Sequence, residues 1–243
     1  MRIAILSDIH GNLEAFRSVL ADIDSRRPPV GEIISLGDTL GYGPEPEACI
    51  NLLRETGILS VQGNHELGLA RPEYRRWFNP QSRQALDRTG ELISAETMAY
   101  IRELPPFLSR HGCLFVHGLP PASAFTYLFE IALDEMNGIF SGFTEAVAFI
   151  GHTHELEIVS WRAGQAMREA LAEGSLGLDR TRRYIVNIGA VGQPRDGDNR
   201  AKYVLWDTDT WTLTVRFVAY DIQAAMAGFK RAGMPELYAL RLL

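Results

Sequence analysis

The sequence has few cysteines, and this scarcity bears on fold class. Only two cysteines, Cys49 and Cys113, occur among 243 residues, and they are far apart without a Cys-x-x-Cys spacing. A disulfide framework is therefore not expected. Both thiols are predicted to serve as small apolar side chains in the core.

Long apolar runs are also missing. No run approaches the roughly 18 residues that a membrane helix needs, so no transmembrane segment is expected. The apolar run that follows Met1 is too short for a signal peptide, and no cleavage site comes after it. Candidate functional residues begin at Asp8, so removal of a leader would destroy them. These features predict a cytoplasmic protein.

An excess of positive charge is the third thing the chain lacks. Lys and Arg total 24 against 30 Asp and Glu, which gives a formal charge of −6. This balance disfavours stable binding to nucleic acids, which requires clustered cations. It does not disfavour a small anionic substrate, because bound metal cations would dominate the local field. Length and 46% apolar composition fit a single domain over residues 1–243, without repeats or linkers.

Short β-branched apolar runs alternate with helical stretches, and this alternation predicts an α/β fold. The first helix is the clearest, because Leu13, Phe16 and Leu20 share one face and Asn12 is a good N-cap. Further helices are predicted at 46–56, within 71–104 and at 222–231. Strands are predicted at 3–6, 32–36, 58–61, 113–116, 147–150, 156–161, 184–188, 203–206 and 212–218. The last two strands form a hairpin, which favours a mixed sheet.

The main functional signal is a set of His, Asp and Asn residues that lie just past predicted strands. In an α/β sheet the carboxyl ends of the strands form the usual ligand crevice, so five strand ends would bring these residues together. Any one segment alone is more often structural, but five in this order are not expected by chance. The segments are Ser7-Asp8-Ile9-His10-Gly11, Gly37-Asp38, Gly63-Asn64-His65-Glu66, His117-Gly118 and Gly151-His152-Thr153-His154.

This mixture of imidazole and carboxylate suits a divalent transition metal. Seven candidate ligands are too many for one tetrahedral ion, but they suit two ions that share a carboxylate. Two ions about 3.5–4 Å apart can clamp the attacking and leaving oxygens of an in-line displacement, and they lower the pKa of a bridging water. Phosphoryl transfer needs this charge neutralisation more than it needs a protein nucleophile.

The five segments resemble the signature D-x-H, G-D, G-N-H-[DE], H-G and G-H-x-H of calcineurin-like metallophosphoesterases, over the stretch from Asp8 to His154. The resemblance implies a four-layer α/β/β/α sandwich with two mixed central sheets. It also implies two divalent transition-metal ions, Mn, Fe, Zn or Ni, and hydrolysis of a small phosphodiester or phosphomonoester by a metal-bridging hydroxide. No covalent phosphoenzyme is expected.

The resemblance also assigns a role to each matching side chain. One ion would be held by Asp8, His10 and His154, the other by Asn64, His117 and His152, and the two would share Asp38. His65 would not bind metal but would protonate the leaving oxygen or stabilise the transition state. No carboxylate partner for His65 is evident, and the adjacency of Glu66 does not make it one.

The sequence departs from the phosphoprotein phosphatase branch of this family, which carries arginines soon after the G-D and G-N-H-E segments. Here Gly37-Asp38 is followed by Thr39-Leu40-Gly41-Tyr42, and the first arginine after Glu66 is Arg71. Without a bidentate arginine clamp, a small bacterial-type phosphodiesterase is favoured over a protein phosphatase. The residues also leave open a nuclease and a non-catalytic metal-binding scaffold, in which the histidine equivalent to His65 is usually missing.

Two further regions have open interpretations. The loop after the 184–188 strand would bring Asn187, Gln193 or Arg195 to the substrate, or it would buttress the sheet with Arg195 paired to an acid. The stretch 119–142 carries several aromatic residues. They are predicted to be core residues, the alternative being a lid that stacks on a nucleobase. They are Phe125, Tyr127, Phe129 and Phe140.

Overall fold

The computed structural model describes residues 1–243 and contains twelve strands and eight α-helices. The strands are β1 (Arg2–Leu6), β2 (Glu32–Ser35), β3 (Leu59–Ser60), β4 (Phe107–Arg110), β5 (Cys113–Val116), β6 (Val147–Ile150), β7 (Leu156–Arg162), β8 (Gln165–Ala170), β9 (Gly174–Gly177), β10 (Arg183–Ile188), β11 (Ala201–Asp207) and β12 (Thr212–Val218). The helices are α1 (Leu13–Asp24), α2 (Pro46–Glu55), α3 (Asn64–Ala70), α4 (Pro80–Leu92), α5 (Ala95–Glu103), α6 (Met136–Ser141), α7 (Ile222–Ala232) and α8 (Glu236–Leu240). Two 3-10 turns cover Pro72–Trp77 and Leu128–Glu130. None of the helices combines the length and apolar character needed to cross a bilayer.

The strands form two six-stranded mixed sheets. The first has the order β3-β2-β1-β11-β12-β9, and the second has the order β4-β5-β6-β10-β7-β8. Strands β3, β2 and β1 are mutually parallel, as are β5, β6 and β10, and all other pairings are antiparallel. The carboxyl ends of three neighbouring strands in each sheet therefore share one edge, which is where the candidate functional residues follow in the sequence.

Alternation along the strands creates the layers, because successive side chains of a strand point to opposite faces. In β1, Ile3 and Ile5 belong to the core between the two sheets, whereas Ala4 and Leu6 pack on the outer face against Phe16 of α1. In the second sheet, β5, β6 and β10 likewise send alternate residues to the inner core and to an outer cluster that includes α6. This arrangement confirms the predicted sandwich with two mixed sheets and flanking helices.

Helix α1 begins where the sequence predicts it. The Asn12 side chain accepts a hydrogen bond from the Ala15 N–H at 3.1 Å and donates one to the Gly192 carbonyl at 2.9 Å. The N-cap thus ties the helix to a loop from the far end of the chain, and both lie next to the candidate site. Helix α2 ends before Gly57, whose φ of 69° is readily adopted by glycine.

The predicted strands and helices are all present, and the 207–210 turn joins β11 and β12 as an antiparallel hairpin. The predicted helical stretch 71–104 consists of a 3-10 turn followed by α4 and α5. Both cysteines are buried and free, as predicted. The sequence did not predict α3, β4, β8, β9, α6 or α8. Helix α8 matters for the site, because its Tyr238 stacks on Tyr42 with ring centroids 4.5 Å apart.

Candidate metal centre

The predicted ligands lie on sharp turns directly beyond the strands. Five of the eight non-glycine residues with positive φ are predicted ligands; they are Asp8, His10, Asp38, His152 and His154. A left-handed backbone costs an L-residue about 1–2 kcal/mol, so the surroundings must hold these turns. Hydrogen bonds between the loops do this: the His10 N–H donates to the Asp38 carbonyl, and the Gly192 N–H donates to the Asp8 carbonyl, both at 2.9 Å.

The first group of ligand atoms comes from the first and last of the five signature segments. The side-chain donors of Asp8, His10 and His154 all lie within 4.8 Å of one another. His154 Nε2 is 3.2 Å from Asp8 Oδ1 and 3.1 Å from His10 Nε2. Three strong donors thus converge on one point, although 144 residues separate His10 from His154.

The second group is built on His117, at the end of β5. Its Nε2 lies 3.3 Å from Asp38 Oδ2, 3.2 Å from His152 Nδ1 and 3.0 Å from Asn64 Oδ1. These four side chains come from three strand exits and the first turn of α3. The amide oxygen of Asn64 is a neutral donor, so it adds no charge to the group.

Asp38 lies between the two groups. Its Oδ2 is 3.3 Å from His117 Nε2 and 3.8 Å from His10 Nε2. Its Oδ1 accepts a hydrogen bond from the His65 backbone N–H at 2.9 Å, which fixes the plane of the carboxylate. Oδ2 therefore lies close to imidazole nitrogens of both groups.

Backbone carbonyls orient the four histidines of these groups. In each ring one nitrogen faces a carbonyl oxygen, so that nitrogen carries the proton and the other nitrogen presents a lone pair. The pairs are His10 Nδ1 with Leu40 O at 3.2 Å, His117 Nδ1 with Leu36 O at 2.9 Å, His154 Nδ1 with Gln193 O at 2.6 Å and His152 Nε2 with Phe125 O at 3.2 Å. Hydrogen bonding of the outer nitrogen is the usual support for a metal-binding histidine.

This orientation of the imidazole rings is electrostatically unfavourable unless cations are bound between them. Lone pairs face each other across 3.1 Å between His10 and His154, and across 3.2 Å between His117 and His152. Two acceptors at this separation repel each other unless a proton or a cation lies between them. The buried Asp8 Oδ1 also indicates a cation site, because no hydrogen-bond donor reaches it.

Burial shifts the pKa values of the side chains in this centre. All seven predicted ligands are at most 7% exposed. Burial lowers the pKa of His152 to about 3 and that of His10 well below its usual value. For His117, burial also lowers the pKa, but Asp38 and the other carboxylates outweigh it and raise the pKa to about 9. A cation would replace the proton that these carboxylates hold at His117, and the donor set fits divalent transition-metal ions.

His65 lies beside the centre, but its ring faces aromatic neighbours. Its Nε2 is 4.0 Å from Asp38 Oδ2, and the ring centroid is 4.5 Å from that of Tyr42 and 5.2 Å from that of Phe78. Burial lowers its pKa to about 4, although Asp38 opposes the shift. Nδ1 is buried without a hydrogen-bond partner, and Glu66 does not contact the ring.

Glu66 instead supports the loop that carries Asp38. Its Oε2 accepts from the backbone N–H groups of Asp38 and Gly63, each at 2.9 Å, and its Oε1 accepts from Thr39 at 2.9 Å and Leu40 at 3.4 Å. Burial and the Asp38 charge raise its pKa to about 7, while these donors favour the ionised form. The sequence pattern had assigned no role to Glu66. Its position three residues after the N-cap of α3 is the spacing of a capping box and indicates this role.

Only one of the three predicted substrate contacts faces open space. Asn187 is fully buried, and its amide donates to Gly151 O at 3.0 Å and to Thr153 Oγ1 at 2.7 Å. Gln193 is also buried, and its carbonyl orients His154. These two residues support the loops that carry the histidines. Arg195 is exposed, and its only side-chain hydrogen bond goes to Gln193 at 3.5 Å, so the predicted pairing with an acid is not realised.

A cavity of about 970 Å³ opens beside the centre and reaches Asn64 and His152. Its lining contains two cations, Arg195 and Arg241, and a single acid, Glu130. Seven aromatic side chains also line it: Tyr42, Tyr74, Trp77, Phe78, Phe125, Tyr127 and Tyr238. All seven lie outside the five signature segments, and their approach to the centre is a tertiary effect without a local sequence signal.

The aromatic residues of 119–142 divide between core and cavity. Phe140 is 1% exposed and belongs to the core beneath α6, as predicted. Phe129 is 58% exposed, so the prediction of a core position was wrong for it. Phe125 and Tyr127 line the cavity. The Tyr127 ring stacks on His152 with centroids 3.9 Å apart, which places the segment directly against a predicted ligand.

Comparisons with known proteins agree with this geometry. The sequence model of the calcineurin-like phosphoesterase superfamily domain matches residues 1–211. The uncharacterised protein MJ0912 of Methanocaldococcus jannaschii is 34% identical over 245 residues, which cover 99% of this chain and 96% of that protein. A crystal structure of a metallophosphoesterase from Sphaerobacter thermophilus is 35% identical and superposes with a TM-score of 0.84, covering 100% of this chain and 98% of that one. The hypothetical protein PH1004 of Pyrococcus horikoshii, 18% identical, shares the fold with a TM-score of 0.80 over 99% of this chain and 97% of its own. The chain therefore belongs to the calcineurin-like phosphoesterase superfamily.

Proposed function

We propose that the protein is a dinuclear metal-dependent phosphoesterase that hydrolyses a phosphodiester or phosphomonoester by direct attack of water. One ion would be held by Asp8, His10 and His154, the other by Asn64, His117 and His152, with Asp38 shared. The observation that carries the proposal is the pair of facing imidazole couples, at 3.1 and 3.2 Å, with the Asp38 carboxylate between them. When bound, two such ions supply charge neutralisation at the phosphoryl group and make water more acidic.

The chain's own groups keep this centre ready for reaction. Backbone carbonyls fix the tautomer and the direction of each of the four ligating histidines. Glu66 holds the Asp38 loop against the start of α3, so the shared carboxylate does not have to be ordered when substrate arrives. Preorganised groups of this kind need no rearrangement in the transition state, which is the usual source of electrostatic catalysis.

His65 is proposed to act on the leaving oxygen. Because burial lowers its pKa to about 4, the imidazole is neutral at pH 7 in the absence of substrate and can donate one N–H. A bound phosphate anion favours the imidazolium form, since an opposite charge within a few ångströms raises the pKa of a histidine. The ring can then transfer its proton to the departing alkoxide.

Arg195 is proposed to contact the non-bridging oxygens of the phosphate. It lines the cavity and has no ion pair, so its guanidinium is free to bind an anion. It lies in the loop after β10, which differs from the arginine positions of phosphoprotein phosphatases. An exposed arginine at this position, instead of a buried clamp, supports a preference for diesters with one negative charge over dianionic phosphoproteins.

The test is hydrolysis of bis(p-nitrophenyl) phosphate and p-nitrophenyl phosphate by the manganese-loaded protein, with elemental analysis of each variant. Asp38→Ala and His65→Ala should each lower turnover at least about 100-fold, the lower end of what general acid–base groups contribute. Only Asp38→Ala should also lose metal. His111→Ala is the matched control, because His111 is bonded to Glu32 in the turn before β5, outside the centre.

The outcomes separate the competing functions. Wild-type turnover in both Asp38→Ala and His65→Ala would remove the hydrolytic mechanism. Stoichiometric metal without hydrolysis of either ester would instead favour a binding scaffold of the same fold.

A further inference from the structure

We propose that the outer part of the cavity is a stacking subsite for a planar aromatic ring, which makes nucleotide-type phosphate esters the substrate class. The subsite is formed by Tyr74, Trp77 and Phe125, here called the aromatic wall. The inference rests on the proposed function for the phosphate end of the ligand, whereas the wall itself makes a claim about binding that needs no turnover.

The aromatic wall is continuous with the metal centre. The Phe125 carbonyl accepts a hydrogen bond from His152 Nε2 at 3.2 Å, and the Tyr127 ring covers His152 at 3.9 Å. His152 is one of two predicted ligands that the cavity reaches. A phosphate bound at the centre would therefore direct its substituent along the segment that carries Phe125.

The wall presents flat aromatic surface toward the cavity. Tyr74 and Phe125 stack with centroids 5.4 Å apart and planes 15° apart, and Trp77 lies 6.1 Å from Phe125. Trp77 is 65% exposed, the highest exposure of any large aromatic residue in the chain. A tryptophan that only supported the fold would bury most of its surface, because its contribution to stability comes from burial. An incoming ring would cover this surface.

The volume and charge of the cavity restrict the class of ligand further. The cavity volume of about 970 Å³ is at the top of the roughly 300–1,000 Å³ range of small-molecule sites and is far larger than a phosphate group. The same cavity is lined by Arg195 and Arg241, neither of which has an ion-pair partner, in a chain of net charge −6. A ligand that fills this space combines an anionic group with a flat ring. A nucleotide has this combination, and stacking on aromatic side chains accepts any base.

The experiment measures binding without hydrolysis. Two ligands are used, the methylenephosphonate analogues of adenosine monophosphate and of ribose 5-phosphate, in which CH₂ replaces the ester oxygen. They differ only by the base, and neither can be cleaved. Affinities for the manganese-loaded protein are measured by titration calorimetry. Trp77→Ala is the test variant. The matched control is Phe107→Ala, an exposed aromatic residue of β4 outside the cavity lining.

Wild type and the Phe107→Ala variant should bind the adenosine analogue about ten-fold more tightly than the ribose analogue, within the range that base–aromatic stacking supplies. Trp77→Ala should lose this preference while keeping its affinity for the ribose analogue and its melting temperature. Equal affinities in wild type would overturn the subsite, as would an equal loss for both ligands in Trp77→Ala. A base preference in a protein that hydrolyses no ester would keep the subsite and refute only the proposed catalysis.

Discussion

Gly63→Ala is a sharp perturbation of the metal centre, because it adds one methyl group without straining the backbone. Gly63 has φ −86° and ψ 176°, values that any residue adopts. A Cβ at this position would overlap Asp38 Oδ1 and the Asp38 backbone nitrogen, and would lie 2.8 Å from Glu66 Oε2. The methyl group therefore presses on the shared carboxylate and on the residue that supports it.

The expected loss of turnover in Gly63→Ala follows from the space available around its Cβ. Real Cβ contacts essentially never fall below 3.0 Å, so Asp38 or the start of α3 must move by the better part of an ångström. A misplacement of about 1 Å costs on the order of 100-fold in rate, and overpacking of a buried site costs about 1–3 kcal/mol. We expect turnover of bis(p-nitrophenyl) phosphate to fall about 100-fold and the metal content to decrease.

The assay compares turnover, elemental metal content and melting temperature with those of Gly138→Ala. Gly138 lies in α6, where a Cβ would meet no atom within 4 Å, so this control carries the same chemical change without the clash. If Gly63→Ala kept wild-type turnover and metal content, the close approach of Gly63 to Asp38 would not matter, and the proposal that two ions share Asp38 would be refuted.

Three further predictions concern stability and reactivity. Glu66→Gln should lower the free energy of unfolding by about 1–3 kcal/mol, because the amide NH₂ would face backbone N–H donors that now meet a carboxylate oxygen; an unchanged urea midpoint would contradict this. Dialysis against a chelator should lower the melting temperature by about 5–10 °C for each ion removed, since an ion present at about 100 times its Kd adds about 2.7 kcal/mol, and manganese should restore it in calorimetry. Neither cysteine should react with iodoacetamide before unfolding, because burial raises the pKa of both thiols, that of Cys113 to about 12; labelling of the native protein seen by mass spectrometry would argue against it.

The sequence predicts which side chains converge at the candidate centre because each of them has a local signal. Asp8, Asp38 and His152 come two to three residues after β1, β2 and β6, and the strands themselves are recognisable as apolar runs. Parallel neighbouring strands end at the same edge, so position along the chain translates directly into position in space. The distances of 3.1–3.3 Å between donor atoms are the part that only the fold supplies.

The rule that polar residues near a strand end reach the crevice misplaces Asn187. Strand β10 continues to Ile188, so Asn187 lies within the strand and pairs in register with Ile150 of β6. Its side chain is held among neighbouring strands, where it bonds to Gly151, and does not project beyond the sheet edge. A polar residue must come after the last ladder pair to reach the crevice, and Asn187 precedes the strand end at Ile188 that the sequence itself predicts.

The sequence contains no local pattern that predicts the edge strand β9 or the residues that line the cavity. Strand β9, Gly174–Gly177, is exposed at every residue, so it lacks the alternation that marks a strand, and only its pairing with β12 defines it. Trp77 and Arg241 lie in different parts of the chain and meet at the cavity only because α8 and the turn before α4 pack beside the same centre. Such contacts depend on tertiary packing that no short pattern encodes.

The positive-φ ligand positions bear on how metal binding and folding are coupled. A small zinc domain folds around its ion, because its ligands have no fixed positions otherwise. Here the left-handed turns at Asp8, His10 and Asp38 are held by backbone hydrogen bonds to one another and to the loop after β10, and Glu66 adds four more. The fold thus bears the conformational cost of the ligand loops before any ion arrives. Removing metal should therefore lower the melting temperature of a protein that keeps its secondary structure, and the energy of binding remains available for charge neutralisation at the phosphate.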